Sequence, residues 1–372
     1  MTHALPLPAP TCFVIAEAGV NHNGSRETAL ALVAAAAKAG ADAVKFQTFK
    51  AKRLAAADAP KADYQIRNVG AAGDQVAMLK ALELSEADHA ALIAACAGQR
   101  IEFMSTPFDL ESAHYLIQTA KVKRLKVASG EITNGPLLLE LARSHKPIIL
   151  STGMANLEEV KQALGVIAFG YITPPDTAPS PRAFREALRS PAGKAALADK
   201  VTILHCTSEY PAPADSINLR AMTTLAQTFN LPVGLSDHSE GTAVAIAAAG
   251  LGARVIEKHF TLDTSMPGPD HRASLTLAEL EQMIAGIRDV TRALGDGVKA
   301  PQAVELKTRT VARKSLVALT PIAAGEEFTA RNLGAKRPGG GVSPMMLWSY
   351  LGKTAARPYR PDEMIDSQGG AP

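Results

Sequence analysis

Short apolar runs recur along the chain, and each turns polar over its last few positions. They read FVIAEAG (13–19), AVKFQTF (43–49), IEFMSTP (101–107), RLKVASG (124–130), PIILSTG (147–153), VTILHCT (201–207), PVGLSDH (232–238) and RVIEKHF (254–260). Between most of them lie Ala/Leu-rich stretches with helical spacing, such as Glu27 to Ala39 and Ser85 to Ala97. Strand-like runs alternating with helical ones predict an α/β fold with a parallel sheet, and about eight such units close a (β/α)8 TIM barrel.

The polar ends of these runs carry Glu17, Lys45 with Gln47, Thr106, Lys126 with Ser129, Ser151, Ser208 with Tyr210, Ser236 with His238, and Glu257 with His259. In a parallel barrel all C-terminal strand ends open on one face, where active sites sit. One polar end only marks a strand's exit into a loop. A full ring of ends mixing cations, hydroxyls, acids and imidazoles predicts a shared site.

Two segments break the rhythm. Residues 50–84 are long for a βα connection and long enough to cover the barrel mouth. Residues 170–200, with TPPDTAPSPRAF, are Pro-rich ahead of a short helical stretch and read as a surface insertion without assigned chemistry. After about Val298 the pattern changes to short β-branched runs and turn residues. The boundaries this predicts are a barrel over 1–298, a linker over 299–311 and a small β-rich domain over 312–372.

Composition narrows the classes of function. A chain of 372 residues has room for one large domain and a small one. Lys+Arg 39 against Asp+Glu 36 leaves a net charge of +3, without the concentrated basic face of a nucleic-acid binder. Aromatics at 5% argue against stacking platforms for single strands. Cys12, Cys96 and Cys206 are scattered and form no CxxC, which suits a reducing cytoplasm. The opening MTHALPLPAP lacks the basic start and apolar run of a secretory signal. The apolar stretch Thr242 to Ala253 is shorter than the roughly 20 residues that span a bilayer. The expectation is a cytoplasmic protein with neither nucleic-acid nor membrane partners.

The candidate chemistry starts with the histidines. His238 and His259 end the seventh and eighth runs, one βα unit apart, so neighbouring strand ends bring both imidazoles within reach of one ion. Two imidazoles leave positions open for substrate oxygen and water, which suits a Lewis acid. Lys45 and Lys126 lie inside apolar runs, where an ammonium group needs an anion. With Thr106, Ser129, Ser151 and Ser236 they form a cradle for phosphate and carboxylate. Ion pairs to Glu17 or Glu257, or a Schiff-base lysine, are the alternatives, and residue types leave all three open. Asn134 and Pro136 mark a helix start, and Ser25 caps another. His22, in NHNGS, reads as a loop residue rather than a ligand. Asp270 and His271 sit in a loop stiffened by Pro267 and Pro269, and the carboxylate there either binds substrate hydroxyls or solvates the loop. KRPGGGVSP (336–344) has consecutive glycines but no following helix, and is weak as a dinucleotide motif. Its Arg337 by itself reads equally as a surface charge.

IAEAGVNHNG, DAVKFQTF, FMSTPFD, KVASGE, STGMA, HCTSEYPAP, GLSDHSEGT, EKHFTLD, PGPDH and KRPGGGVSP occur in this order over nearly the whole chain. Together they resemble the bacterial sialic acid synthases, the family making N-acetylneuraminate, legionaminate or pseudaminate. The resemblance implies a TIM barrel followed by a small antifreeze-like (SAF) domain, and an enzyme condensing phosphoenolpyruvate with an N-acetylated amino sugar. It implies that His238 and His259 hold a divalent metal, Mn²⁺ first and Mg²⁺ or Co²⁺ as alternatives. Lys45, Thr106, Lys126, Ser129, Ser151 and Ser236 would bind phosphoenolpyruvate. Gln47, Ser208, Tyr210 and Asp270 would orient the sugar, and Glu17, Glu257 and Asp270 are the candidate catalytic acids. Arg337 would reach a partner subunit's site in a domain-exchanged homodimer.

Ser208, followed by Glu209, stands where some neuraminate synthases carry Asn, and residues 170–200 run longer than in compact members. The first expectation is N-acetylmannosamine going to N-acetylneuraminate. The alternative is 2,4-diacetamido-2,4,6-trideoxymannose going to N,N'-diacetyllegionaminate, towards which HCTSEYPAP and the GVSPM segment lean. Rival readings are a Schiff-base aldolase using Lys45 or Lys126, a non-catalytic sugar-binding protein, and a sister enzyme acting on a sugar phosphate.

Overall fold

A computed structural model describes residues 12–70, 74–367 and 370–371; the opening run MTHALPLPAP lies outside the described residues. The chain divides into two compact units, Met1–Asp296 and Gly297–Pro372.

In the first unit the apolar runs form β1 (Phe13–Gly19), β2 (Ala43–Thr48), β3 (Glu102–Pro107), β4 (Leu125–Val127), β5 (Ile148–Ser151), β6 (Val201–Cys206), β7 (Val233–Asp237) and β8 (Val255–His259). They lie in the order β3-β2-β1-β8-β7-β6-β5-β4, with every ladder parallel. The two ends of that order, β3 and β4, pack side by side, giving the barrel.

Strand side chains alternate between faces, and this decides where each residue type goes. One parity faces the helices: Val14, Val44, Phe103, Leu125, Leu150, Ile203, Leu235 and Ile256 join the main core around the barrel. The other parity faces inward. Ile15, Ala43, Met104, Ile149, Leu204 and Val255 form an apolar plug inside the barrel. Two positions further along the same faces stand Glu17, Lys45, Thr106, Ser151, Cys206 and Glu257. The barrel interior is therefore apolar below and ionic above. Gly234 lies on this inner face because a Cβ there would meet the Val255 carbonyl oxygen at 2.1 Å.

The helices follow local signals. Ser25 accepts from Thr28 N–H (3.2 Å) to start the helix Arg26–Lys38, and Asn134 accepts from Leu137 N–H (3.3 Å) to start Gly135–Arg143. Residues 50–84 fold into three short helices, Ala51–Leu54, Asp63–Val69 and Gln75–Ala81. The insertion begins later than expected, because the helix Leu157–Ile172 carries its buried face through Gly170 and Tyr171. The helices Pro181–Arg189 and Pro191–Lys200 follow, with Phe184 edge-on to Phe169 at 5.3 Å. Among the described residues no helix is long and apolar enough to cross a membrane.

In the second unit, β9 (Ser315–Ala318) pairs antiparallel with β10 (Leu333–Lys336). Leu316, Ile322, Phe328, Leu333, Tyr359 and Ile365 give it a core of its own. The helix Glu305–Ala312 occupies much of the segment read as a linker. KRPGGGVSP is followed, contrary to expectation, by a 3-10 turn (Pro344–Met346) and a helix of one turn, Leu347–Tyr350. That helix is too short to offer a dinucleotide the backbone dipole of a Rossmann turn.

Candidate active site

The C-terminal strand ends enclose a cavity of about 570 Å³. Every barrel residue that the resemblance assigns to the site lines it, from Glu17 on β1 to Asp270 in the loop after β8. Arg337 does not: it stands exposed after β10 in the other unit.

The floor is a buried ionic cluster. Lys45 Nζ lies 2.7 Å from Glu17 and 3.7 Å from Glu257, and donates to Thr106 Oγ1 at 2.8 Å. Lys126 Nζ lies 3.4 Å from Glu257 and donates to Ser151 Oγ at 2.7 Å. Ser236 Oγ donates to Glu257 Oε1 at 2.9 Å. The ion pairs that the sequence offered as an alternative are present, and the hydroxyls of Thr106, Ser151 and Ser236 share one cluster with them.

Its electrostatics are asymmetric. Burial raises the proton affinity of both acids. At Glu257 the ammonium groups of Lys126 and Lys45 outweigh it and hold the carboxyl well below its usual range. At Glu17 burial prevails over Lys45, helped by repulsion from Glu257, and the carboxyl is pushed upward. Burial also lowers Lys126, while the two carboxylates overcome burial at Lys45 and keep it charged. Two lysines and two acids thus share the floor, and the lysines are the groups placed to meet an anion.

Beside this cluster stand the imidazoles, ring centroids 5.6 Å apart and planes at 57°. The backbone carbonyl of Thr207 lies 2.7 Å from His238 Nδ1. A carbonyl only accepts, so Nδ1 carries the proton and Nε2 is left as the potential ligand atom, the orientation that carbonyl partners impose on metal-bound histidines. His259 Nδ1 is buried without a hydrogen-bond partner. Burial, His238 and Lys45 hold His259 well below the ordinary histidine range. At His238 burial is outweighed by Cys206 and by the Thr207 carbonyl, which favour the cation. Two converging imidazoles, one already neutral and one oriented through Nδ1, fit a divalent cation. Among the described residues no group of three or more His, Cys, Asp or Glu converges in metal-binding geometry.

Tyr210 packs against both rings, 4.1 Å from His238 and edge-on at 5.6 Å from His259. Asp270 is buried in the wall, and burial raises its carboxyl to about 6 against the pull of His238 and Lys45. His271 is spoken for: Nδ1 lies 2.7 Å from Thr261 Oγ1, and Nε2 3.2 Å from Asn23 Oδ1. His22 is a loop residue, as expected, but fully buried, accepting from Gly24 N–H at 3.0 Å.

Three features escaped the sequence reading. Cys206 lines the cavity, its Sγ 3.7 Å from His238 Nδ1; counting by twos from Leu204 would have found it. Gly153 donates its N–H to Ser129 Oγ at 3.0 Å, and nothing in STGMA marks that contact. Met78, Leu79 and Leu82, distant in sequence from any motif, supply an apolar wall.

The sequence matches the NeuB family over residues 32–299 and the SAF domain over residues 313–367. It is 45% identical to the N,N'-diacetyllegionaminic acid synthase of Campylobacter jejuni over 352 residues, 95% of this chain and 98% of the relative. It is also 45% identical to the enzyme of that name from Legionella pneumophila over 342 residues, 92% of this chain and 90% of the relative. Among solved structures, the N-acetylneuraminic acid synthetase of Leptospira borgpetersenii superposes with a TM-score of 0.63 at 31% identity, covering 80% of this chain and 90% of that one.

Proposed function

The chain belongs to the NeuB family, and from that premise we propose that it condenses phosphoenolpyruvate with 2,4-diacetamido-2,4,6-trideoxymannose and water, giving N,N'-diacetyllegionaminate and phosphate. The observation that carries the reaction is the meeting of Lys45, Lys126, Glu257, His238 and His259 in one cavity. The choice of sugar rests on the two relatives at 45% identity, both named for diacetyllegionaminate. They favour it over the N-acetylmannosamine of the first expectation, which remains the comparison substrate.

Lys45 and Lys126, with the hydroxyls of Thr106, Ser129, Ser151 and Ser236, bind the phosphate and carboxylate of phosphoenolpyruvate. His238 and His259 would hold a divalent ion, Mn²⁺ in our reading, which would supply Lewis acidity to the sugar's carbonyl. Gln47, Ser208, Tyr210 and Asp270 orient the sugar so that the aldehyde carbon faces the methylene carbon of phosphoenolpyruvate. As the carbon–carbon bond forms, positive charge grows at the phosphate-bearing carbon, where ionised Glu257 stabilises it. Water adds there, and phosphate departs with the bridging oxygen. Glu17, held towards its protonated form, is suited to move the proton. Arg337 completes the site of a partner subunit in a homodimer.

Phosphate release from phosphoenolpyruvate is measured with each sugar, with and without chelator. Release with the diacetamido sugar, its loss on chelation and its return with Mn²⁺ are expected. A lysine adduct trapped by borohydride, with turnover indifferent to chelator, overturns the proposal in favour of Schiff-base chemistry. With ¹⁸O at the bridging position, the label is expected in phosphate.

A further inference from the structure

Resting on that reading, we infer that the segment between β2 and β3 is the specificity wall of the site, with Met78 and Leu79 selecting a sugar whose far end is apolar. The cavity has two ends of opposite character. Its floor is the ionic cluster. Its outer wall is built on buried Val20 and Leu82, against which Leu54, Met78, Leu79 and Phe108 pack while still reaching the cavity. The polar part of this wall is Asp63 and two amides: Gln65 and Gln75 meet at 3.5 Å, and all three line the cavity. The segment is fastened across the mouth. Arg67 pairs with Glu209 in the loop after β6 at 2.5 Å, and Asn68 donates to the Pro269 carbonyl in the loop after β8 at 2.5 Å. A wall tied to the loops of two other strands holds its position over the floor.

The chemistry fixes which end of the sugar meets it. The new bond joins the methylene carbon of phosphoenolpyruvate to the aldehyde carbon, so the aldehyde lies at the floor and carbons 4 to 6 of the open chain run outward to the wall. N-acetylmannosamine brings only hydroxyls there, and burying hydroxyls against Met78 and Leu79 without partners is unfavourable. The diacetamido trideoxy sugar brings a methyl at carbon 6 and an acetamido group at carbon 4. Its two methyls suit the thioether and isobutyl surfaces, and its amide suits Gln65 and Gln75.

The test compares steady-state phosphate release with both sugars, in Mn²⁺, for the unsubstituted enzyme, Leu79→Gln and Met78→Ala. Each variant is expected to lower kcat/KM for the diacetamido sugar about 10-fold, the scale of one or two methyl contacts, and to leave N-acetylmannosamine within about 3-fold. Calorimetric binding of phosphoenolpyruvate reports whether the floor is intact. Met78→Ala, which keeps the wall apolar, serves if Leu79→Gln loses that binding. Equal loss on both sugars, or none, with phosphoenolpyruvate binding retained overturns the inference alone. Phosphate release with neither sugar by the unsubstituted enzyme overturns the proposed reaction and the inference with it.

Discussion

At the scale of single residues, space and charge make separate demands. A Cβ at Gly153 would meet Ser208 Oγ at 2.3 Å, Ser129 Oγ at 2.8 Å and Cys206 Sγ at 3.2 Å. Those groups come from the ends of two strands, β4 and β6, so Gly153→Ala has to push cradle atoms apart. Kinetics should show kcat/KM reduced about 10–100-fold with the circular dichroism spectrum unchanged, since small misplacements cost rate before they cost the fold. Asp270 makes the opposite demand. Its folded value of about 6 lies above the ordinary 3.8, so the native state holds the proton more tightly than the unfolded chain. Stability then falls as pH rises through that window, and above it the buried carboxylate costs about 3 kcal/mol. Asp270→Asn should therefore unfold at higher temperature than the parent at pH 8, with the difference vanishing near pH 4. It should also be slower with the sugar. Equal unfolding temperatures at pH 8 would show that burial does not strain this acid.

At the scale of elements, the spacing between β7 and β8 sets the distance between the two histidines. Behind them, on the outward face, Lys258 and Asp237 form a fully buried ion pair at 2.8 Å, and Lys258 also donates to the Ser239 carbonyl. Each partner is adjacent in sequence to one imidazole, so this brace fixes both strand ends. Lys258→Met leaves a buried carboxylate unpaired and should lower urea stability by about 3–5 kcal/mol, whereas Asp237→Leu combined with Lys258→Met should recover most of it. If the single variant matches the parent's urea midpoint, the brace carries no load. The sequence reading did not assign this pair, and the reason is physical. Polarity at strand ends located the face of the barrel, but only the alternation of side chains separates Glu257 and His259, which point inward, from Lys258, which points out. The same alternation, counted from Leu204, is what places Cys206 on the inner face. The eight strands were legible because their apolar runs are fully buried and bounded by turns. The three short helices of residues 50–84 were not, because too few turns are present for a period to show, and their apolar residues face a cavity rather than a core.

At the scale of the whole molecule, the change in pattern near Val298 marked a second unit because a β-rich core needs different residues from a barrel, and Phe328, Tyr350 and Tyr359 gather in that core. What no local pattern carries is which barrel Arg337 serves, since its place in the sequence does not say which subunit it faces. The proposed homodimer resolves this through symmetry: a residue donated in exchange must serve the partner's floor, and its loss is felt only there. Glu257→Gln disables the floor of its own barrel, and Arg337→Ala disables the other. Each variant alone should release little phosphate. Mixed in equal amounts and allowed to exchange subunits, half the dimers become hybrids in which one site carries both lesions and the other neither, so about a quarter of all sites regain full composition. Phosphate release should rise towards that fraction of the parent rate on mixing. If Arg337 instead serves its own barrel, every site keeps a lesion, mixing restores nothing, and the exchanged arrangement is excluded.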